Sequence, residues 1–180
     1  MLNLRSATIP SDEDLIRWSL DHPGYRFEYV NGEITIVSPT GGKSGIRNSA
    51  LHAKLYAWAK ANGYEIFGSN TGFVFGTSSM LKVSPDEALV KTERFSALSE
   101  DDREKLVPLA PDIAVELVSK SQEYGKKRGD VIVKCKAMFE NGVEHVVMLD
   151  PYATIGAERV RAWGEPPPDF PNEWDDVLDA

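Results

Sequence analysis

The chain has a single cysteine, Cys135, which excludes an internal disulfide framework. It has no apolar run long enough to cross a bilayer, so no membrane association is expected. Its three histidines, His22, His52 and His145, lie in unrelated segments without the spacing of metal ligands. His52 is expected on a helix surface. No Ser-His-Asp arrangement is visible. Nothing suggests an aromatic-rich sugar cleft, which sets aside glycoside hydrolysis by paired carboxylates. Gly41-Gly42-Lys43-Ser44-Gly45 carries the Gly-Lys-Ser triplet of a phosphate loop, but it lacks the first glycine at the required offset. Pro39, rather than a buried strand, precedes it. The opening residues, with Glu13 and Asp14 close behind, do not read as a signal peptide, so a cytoplasmic protein is the expectation.

Basic charge is also scarce. There are 28 acids and 20 bases, for a net charge of −8. Glu165, Asp169, Glu173, Asp175, Asp176 and Asp179 fall in residues 165–180, which hold no base. Without them the body carries 22 acids against 20 bases, a net −2. A near-neutral body is compatible with a local basic patch. Pro166-Pro167-Pro168 opens the acidic segment. Residues 1–164 are therefore expected to form a single domain, and residues 165–180 a flexible tail.

What is present reads as a mixed α/β chain. Residues 12–20 suit a short helix with Ser11 as N-cap. Strand-like runs at 26–30 and 33–37 flank Asn31-Gly32, a strong hairpin signal. Residues 39–42 read as a loop. Residues 46–61 read as a long helix with Leu51, Leu55, Trp58 and Ala59 on one face. Strands follow at 64–67 and 72–75. Residues 92–108 are polar and partly helical, with Ser99 and Asp102 as a cap. A second long helix at 122–140 has Val131, Cys135, Met138 and Phe139 as its buried stripe. Strands at 143–149 and 158–163 complete the layout. It predicts one central sheet in an α/β sandwich, with helix 122–140 as a parallel crossover. A free edge strand in so short a domain leaves room for a homodimer.

Two segments echo one another: Ser84-Pro85-Asp86-Glu87-Ala88-Leu89-Val90 and Pro111-Asp112-Ile113-Ala114-Val115-Glu116-Leu117-Val118-Ser119. Each holds Pro-Asp and runs into an apolar strand. Carboxylates on neighbouring strands make a site for a hard divalent cation. Strand alternation puts Asp112, Ala114, Glu116 and Val118 on one face. Glu116, between Val115 and Leu117, is costly to bury unless paired, hydrogen-bonded or metal-bound. Asp86 shares its face with Ala88 and Val90. The plainer reading is that Asp86 and Asp112 start strands or cap turns while Glu116 pairs with a nearby base. Lys134 sits at the edge of the second helix's stripe. It either reaches a site between the strands or snorkels at the surface. Lys120, Lys126, Lys127 and Arg128 cluster where that helix begins and would suit a phosphate-bearing ligand, unless they form a solvated loop.

Several motifs, in order, resemble the Uma family of restriction endonucleases, a bacterial group in the PD-(D/E)XK nuclease superfamily. They are Arg26-Phe27-Glu28-Tyr29-Val30-Asn31-Gly32-Glu33-Ile34, Ser38-Pro39-Thr40-Gly41-Gly42, Asn70-Thr71-Gly72-Phe73, the two Pro-Asp segments, and Lys134 onward to Leu149-Asp150-Pro151. The resemblance spans about residues 10–163. It implies a restriction-endonuclease-like mixed sheet flanked by helices, with an N-terminal β-hairpin. It implies an endonuclease that hydrolyses DNA with Mg²⁺, Mn²⁺ being a substitute. Asp86, Glu116 and the Leu117 backbone carbonyl would bind the metal. Lys134 would orient the water or steady the phosphate charge, taking the place of the superfamily lysine whose position here is Val118. Glu28 would touch the metal or its water shell, and Asp112 would support the site. Ser44 stands where relatives have His, Met138 where they have Tyr, and the chain ends early. These departures leave open an inactive nuclease fold that binds nucleic acid or a partner protein. The acidic tail is expected to lie over the basic cluster as a phosphate mimic when no substrate is present.

Overall fold

The computed structural model describes residues 2–5, 8–77, 81–120, 126–153 and 158–180. β1 (Leu2–Arg5) leads through α1 (Asp12–Asp21) to β2 (Arg26–Val30) and β3 (Glu33–Val37). Then come α2 (Gly42–Ala61), β4 (Tyr64–Gly68), β5 (Phe73–Phe75), β6 (Leu81–Val83) and β7 (Glu87–Lys91). The short helices α3 (Thr92–Ser96) and α4 (Glu100–Arg103) precede β8 (Ile113–Leu117) and α5 (Lys126–Glu140). β9 (His145–Leu149), β10 (Val160–Trp163) and α6 (Asp175–Leu178) complete the order.

Local chemistry sets several of these elements. Ser11 Oγ accepts from Asp14 N, and Asp14 Oδ2 accepts from Ser11 N, both at 3.1 Å, closing a capping box at α1. Asn31 and Gly32 both take positive φ, 47° and 94°, as a type I′ hairpin turn requires. Ser99 caps α4 by accepting from Asp102 N at 3.1 Å. α2 starts at Gly42, four residues before the predicted start at 46, because glycine and polar residues there give no apolar period to read.

The single central sheet predicted from sequence is replaced by two five-stranded sheets. The first has the order β1-β3-β2-β6-β5 and is antiparallel throughout. The second has the order β10-β9-β8-β7-β4, and its β8–β9 pair is parallel. α5 supplies that crossover, as expected. The second sheet occupies the centre of the molecule. Ala88, Val90, Ala114 and Val118 face a core shared with α5 and the first sheet, through Val131, Cys135, Met138, Phe73 and Leu81. Leu89, Ile113, Val115 and Leu117 face the other way, onto Leu51, Leu55 and Ala59 of α2. Burial on both faces explains why β7, β8 and β9 read as nearly continuous apolar runs.

Two further expectations are corrected. Phe139 is 39% exposed, so the α5 stripe is Val131, Cys135 and Met138 without it. The segment expected to be a flexible tail packs down instead. Phe170, Trp174, Val177 and Leu178 are buried against the α2 face of the central sheet. Among the described residues its acids pair elsewhere than on the basic cluster: Asp176 with Lys54, and Asp175 and Asp179 with Arg159. Apolar burial outweighs the acidity that the composition emphasised. Among the described residues, no helix is long and apolar enough to cross a membrane.

Candidate active site

β7 and β8 run antiparallel with Glu87 opposite Val115, a register that brings Asp86 beside Glu116 one step beyond the ladder. Asp86 lies in the Ser84-Pro85-Asp86 link between β6 of the first sheet and β7 of the second, rather than inside the strand. Its Oδ2 accepts a hydrogen bond from Leu117 N at 2.8 Å. Glu116 points to the α5 side with Ala114 and Val118, as the alternation predicts.

Lys134 closes the cluster from α5. Its Nζ lies 2.7 Å from Glu116 Oε1 and 2.8 Å from Glu28 Oε1. It also donates to the Ser84 carbonyl at 3.2 Å. Ser84 N in turn donates to Glu28 Oε1 at 2.9 Å. Glu28, Glu116 and Lys134 are all buried. So the lysine does not snorkel, and it spans carboxylates from both sheets.

The electrostatics are unbalanced: three carboxylates surround one ammonium. Desolvation raises the Glu116 carboxyl, with Lys134 opposing and Asp86 and Glu28 reinforcing, to about 8. Desolvation also raises Asp86, against the Leu117 N–H and the Lys134 and Arg26 charges. For Lys134 desolvation pulls downward, but the Glu116 and Glu28 charges outweigh it and the ammonium is held above its usual range. The surplus negative charge therefore falls on Asp86 and Glu116.

Asp86, Glu116, Leu117 and Lys134 line one cavity of about 1060 Å³. Glu28 does not line it and lies behind Lys134, away from the position expected for a metal contact. Among the described residues no three His, Cys, Asp or Glu side chains form a ready metal cage. Two hard carboxylates beside a cavity still fit a divalent cation, because Mg²⁺ is commonly held by one or two carboxylates and keeps several waters. The upward shifts of Asp86 and Glu116 are strain that a dication would relieve.

Other predicted residues lie elsewhere. Asp112 is buried four residues up β8 from Glu116, roughly 13 Å along the strand. It accepts from Lys91 N at 2.8 Å and pairs with Arg94 at 2.7 Å, contacts that lie at the far end of β8 from Glu116. Lys120 is exposed on the cavity rim. Arg128 is engaged by Asp150 at 2.7 Å. The side chains of Lys126 and Lys127 lie outside the described residues. Ser44 is buried and lines the cavity, whereas Met138 is in the core.

Sequence reasoning missed two features. Arg47 is buried in α2 and lines the cavity. It precedes Leu51 and Leu55 at four-residue steps, and a charge on that apolar stripe was the available signal. His52 is half-buried rather than free on the surface, with Nδ1 3.0 Å from buried Glu87. Burial raises the Glu87 carboxyl to about 7, with the His52 hydrogen bond opposing.

A central sheet with a parallel crossover, paired acids at the ends of adjoining strands and a lysine from the crossover helix define a restriction-endonuclease-like fold. The crystal structure of a "putative nuclease belonging to DUF820" from Anabaena variabilis ATCC 29413 matches with a TM-score of 0.67 at 17% identity. The match covers 95% of this chain and 98% of that one. The family described as "Uma2: Putative restriction endonuclease" matches residues 12–155. The chain belongs to the Uma2 family. No curated protein matches the sequence.

Proposed function

We propose that this protein is a bacterial, cytoplasmic endonuclease that hydrolyses DNA phosphodiester bonds with Mg²⁺, Mn²⁺ serving as a substitute. The observation that carries this reading is the Lys134 ammonium held between Glu28 and Glu116, beside Asp86, at the wall of one cavity. Asp86, Glu116 and the Leu117 carbonyl are the proposed metal ligands. When bound there, the metal would lower the pKa of a bound water and screen phosphate charge. Lys134 offers its charge, and the N–H that faces Glu116 once the metal takes that carboxylate, to the attacking water or to a phosphate oxygen. Glu28 is a positioning residue: it fixes Lys134 from behind and makes no contact with the reacting atoms. The Leu117 N–H holds one Asp86 oxygen and so orients the other. The proposal extends to a homodimer formed through a free sheet edge, which light scattering would check.

The test is plasmid nicking and linearisation with Mg²⁺, Mn²⁺ or EDTA, for wild type and for Asp86→Ala, Glu116→Ala and Lys134→Ala. Metal-dependent cleavage lost in all three variants supports the assignment. Cleavage that persists in the variants, or survives EDTA, removes it. DNA binding without cleavage under either metal would favour a non-catalytic nuclease fold.

A further inference from the structure

The Gly-Lys-Ser triplet is no phosphate loop, yet it opens α2 directly onto the active-site cavity. Gly41, Gly42, Lys43 and Ser44 all line it. α2 is 20 residues long, with no side-chain cap and no acid in its first turn. Its first N–H groups and positive dipole end therefore stay available. A Cβ built on Gly41, Gly42 or Gly45 would meet nothing within 4 Å, so open space lies in front of this turn.

A second observation points the same way. Arg47, one turn along, is only 8% exposed. Its guanidinium donates to the Leu178 carbonyl at 3.2 Å and to the Tyr152 hydroxyl at 2.9 Å. Among the described residues no carboxylate lies within ion-pair distance of it. A buried cation with neutral partners is costly unless an anion joins it. The side chain lines the same cavity as the α2 N-terminus.

The geometry points to a phosphate subsite formed by the α2 N-terminus, Lys43, Ser44 and Arg47, taking a backbone phosphate of the nucleic acid strand that is not the one cleaved. This rests on the nuclease reading for its ligand, since the subsite and the Asp86–Glu116 pair share one cavity. Backbone N–H groups and a guanidinium match the tetrahedral oxygens of a phosphate. The subsite reads no base and fixes the strand's position relative to Lys134. Arg47 is itself set by the Leu178 carbonyl of the C-terminal segment, so that segment helps to position the subsite.

The experiment is fluorescence anisotropy of a labelled DNA duplex in EDTA across a salt series, using the full chain, Lys43→Ala, Arg47→Lys and Arg47→Met. Lys43→Ala should weaken binding a few-fold and lower the salt slope by about one. Arg47→Met should weaken it about tenfold, and Arg47→Lys less. Folded variants with wild-type affinity and slope would overturn the subsite. If Arg47→Met does not fold, exposed Lys43 and the charge-conserving Arg47→Lys decide the matter. Should the wild type neither bind nor cut DNA, the nuclease reading fails separately. ³¹P line broadening of inorganic phosphate then judges the subsite: broadening lost in Lys43→Ala retains it for a free phosphate group, and broadening that is absent or unchanged overturns it.

Discussion

Replacing Lys134 by methionine keeps most of the side-chain volume and removes the cation that lies between Glu28 and Glu116, beside Asp86. Lys134 is 7% exposed and Glu28 and Glu116 are 6% exposed or less, so water from the cavity replaces the lost contacts at 2.8 and 2.7 Å only in part. Breaking a buried pair from one side costs about 3–5 kcal/mol. For a chain of this size that is a fall in Tm of roughly 6–20 °C. The loss has a defined pH dependence. The Glu116 carboxyl is already raised to about 8 and would lose its main lowering charge. A carboxyl whose folded pKa exceeds its unfolded value destabilises the fold as pH rises from the unfolded toward the folded value, and costs nothing below both. Glu116 stays protonated in both folded proteins below its wild-type value, so the variant's deficit relative to wild type should widen only as pH rises past about 8, as read by urea unfolding at about pH 6 and about pH 9.5. An equal deficit at both pH values, or one below about 1 kcal/mol as for a surface pair, would refute a buried, charge-compensating Lys134.

Trp174→Ala should cost about 3–5 kcal/mol in thermal or urea unfolding, because the ring is buried beside Phe170 and under α2; an unchanged Tm would mean that the segment does not dock. Glu87 has a folded pKa of about 7 against an ordinary 4.5, so wild-type stability should decline by about 3 kcal/mol as pH rises through that interval. Glu87→Gln should flatten this stretch of the pH profile while retaining the contact with His52, and parallel profiles would count against the assignment. Asp112→Ala should destabilise by about 3 kcal/mol by stranding Arg94 and the Lys91 N–H. In the folded fraction its metal-dependent cleavage should match wild type, and a specific loss of cleavage would return Asp112 to the site.

What could be read from the sequence follows the range of the interactions. The α1 capping box, the Asn31-Gly32 hairpin and the crossover helix are set within a few residues or by strong periodicity, and all were legible. Glu116 was legible because a charge within an apolar run needs a compensating partner. Asp86 and Lys134 needed the family resemblance, since spacing alone left a turn residue and a snorkelling lysine open. The division into two sheets was hidden because it rests on pairing β2 with β6, some fifty residues apart, which no local pattern encodes. The role of Glu28 behind Lys134 was hidden for the same reason. In the C-terminal segment the acids masked Phe170, Trp174 and Leu178, whose four-residue steps were a faint sign of a docking face.

The Ser84-Pro85-Asp86 link joins the two sheets, and the Glu28–Lys134–Glu116 bridge fastens one to the other. Asp86, Glu116 and Lys134 belong to the second sheet and its crossover helix, whereas Glu28, which braces Lys134 from behind, comes from the first, so the bracing of the cluster depends on the docking of the two sheets. On the proposed endonuclease reading, a partly opened chain would hold Asp86, Glu116 and Lys134 without that bracing and would cut DNA poorly. Docking would then act as a safety catch, with the amide proton of Leu117, bonded to Asp86, as its reporter: on that reading, native-state hydrogen exchange should free it together with the sheet-to-sheet contact and with the loss of cutting.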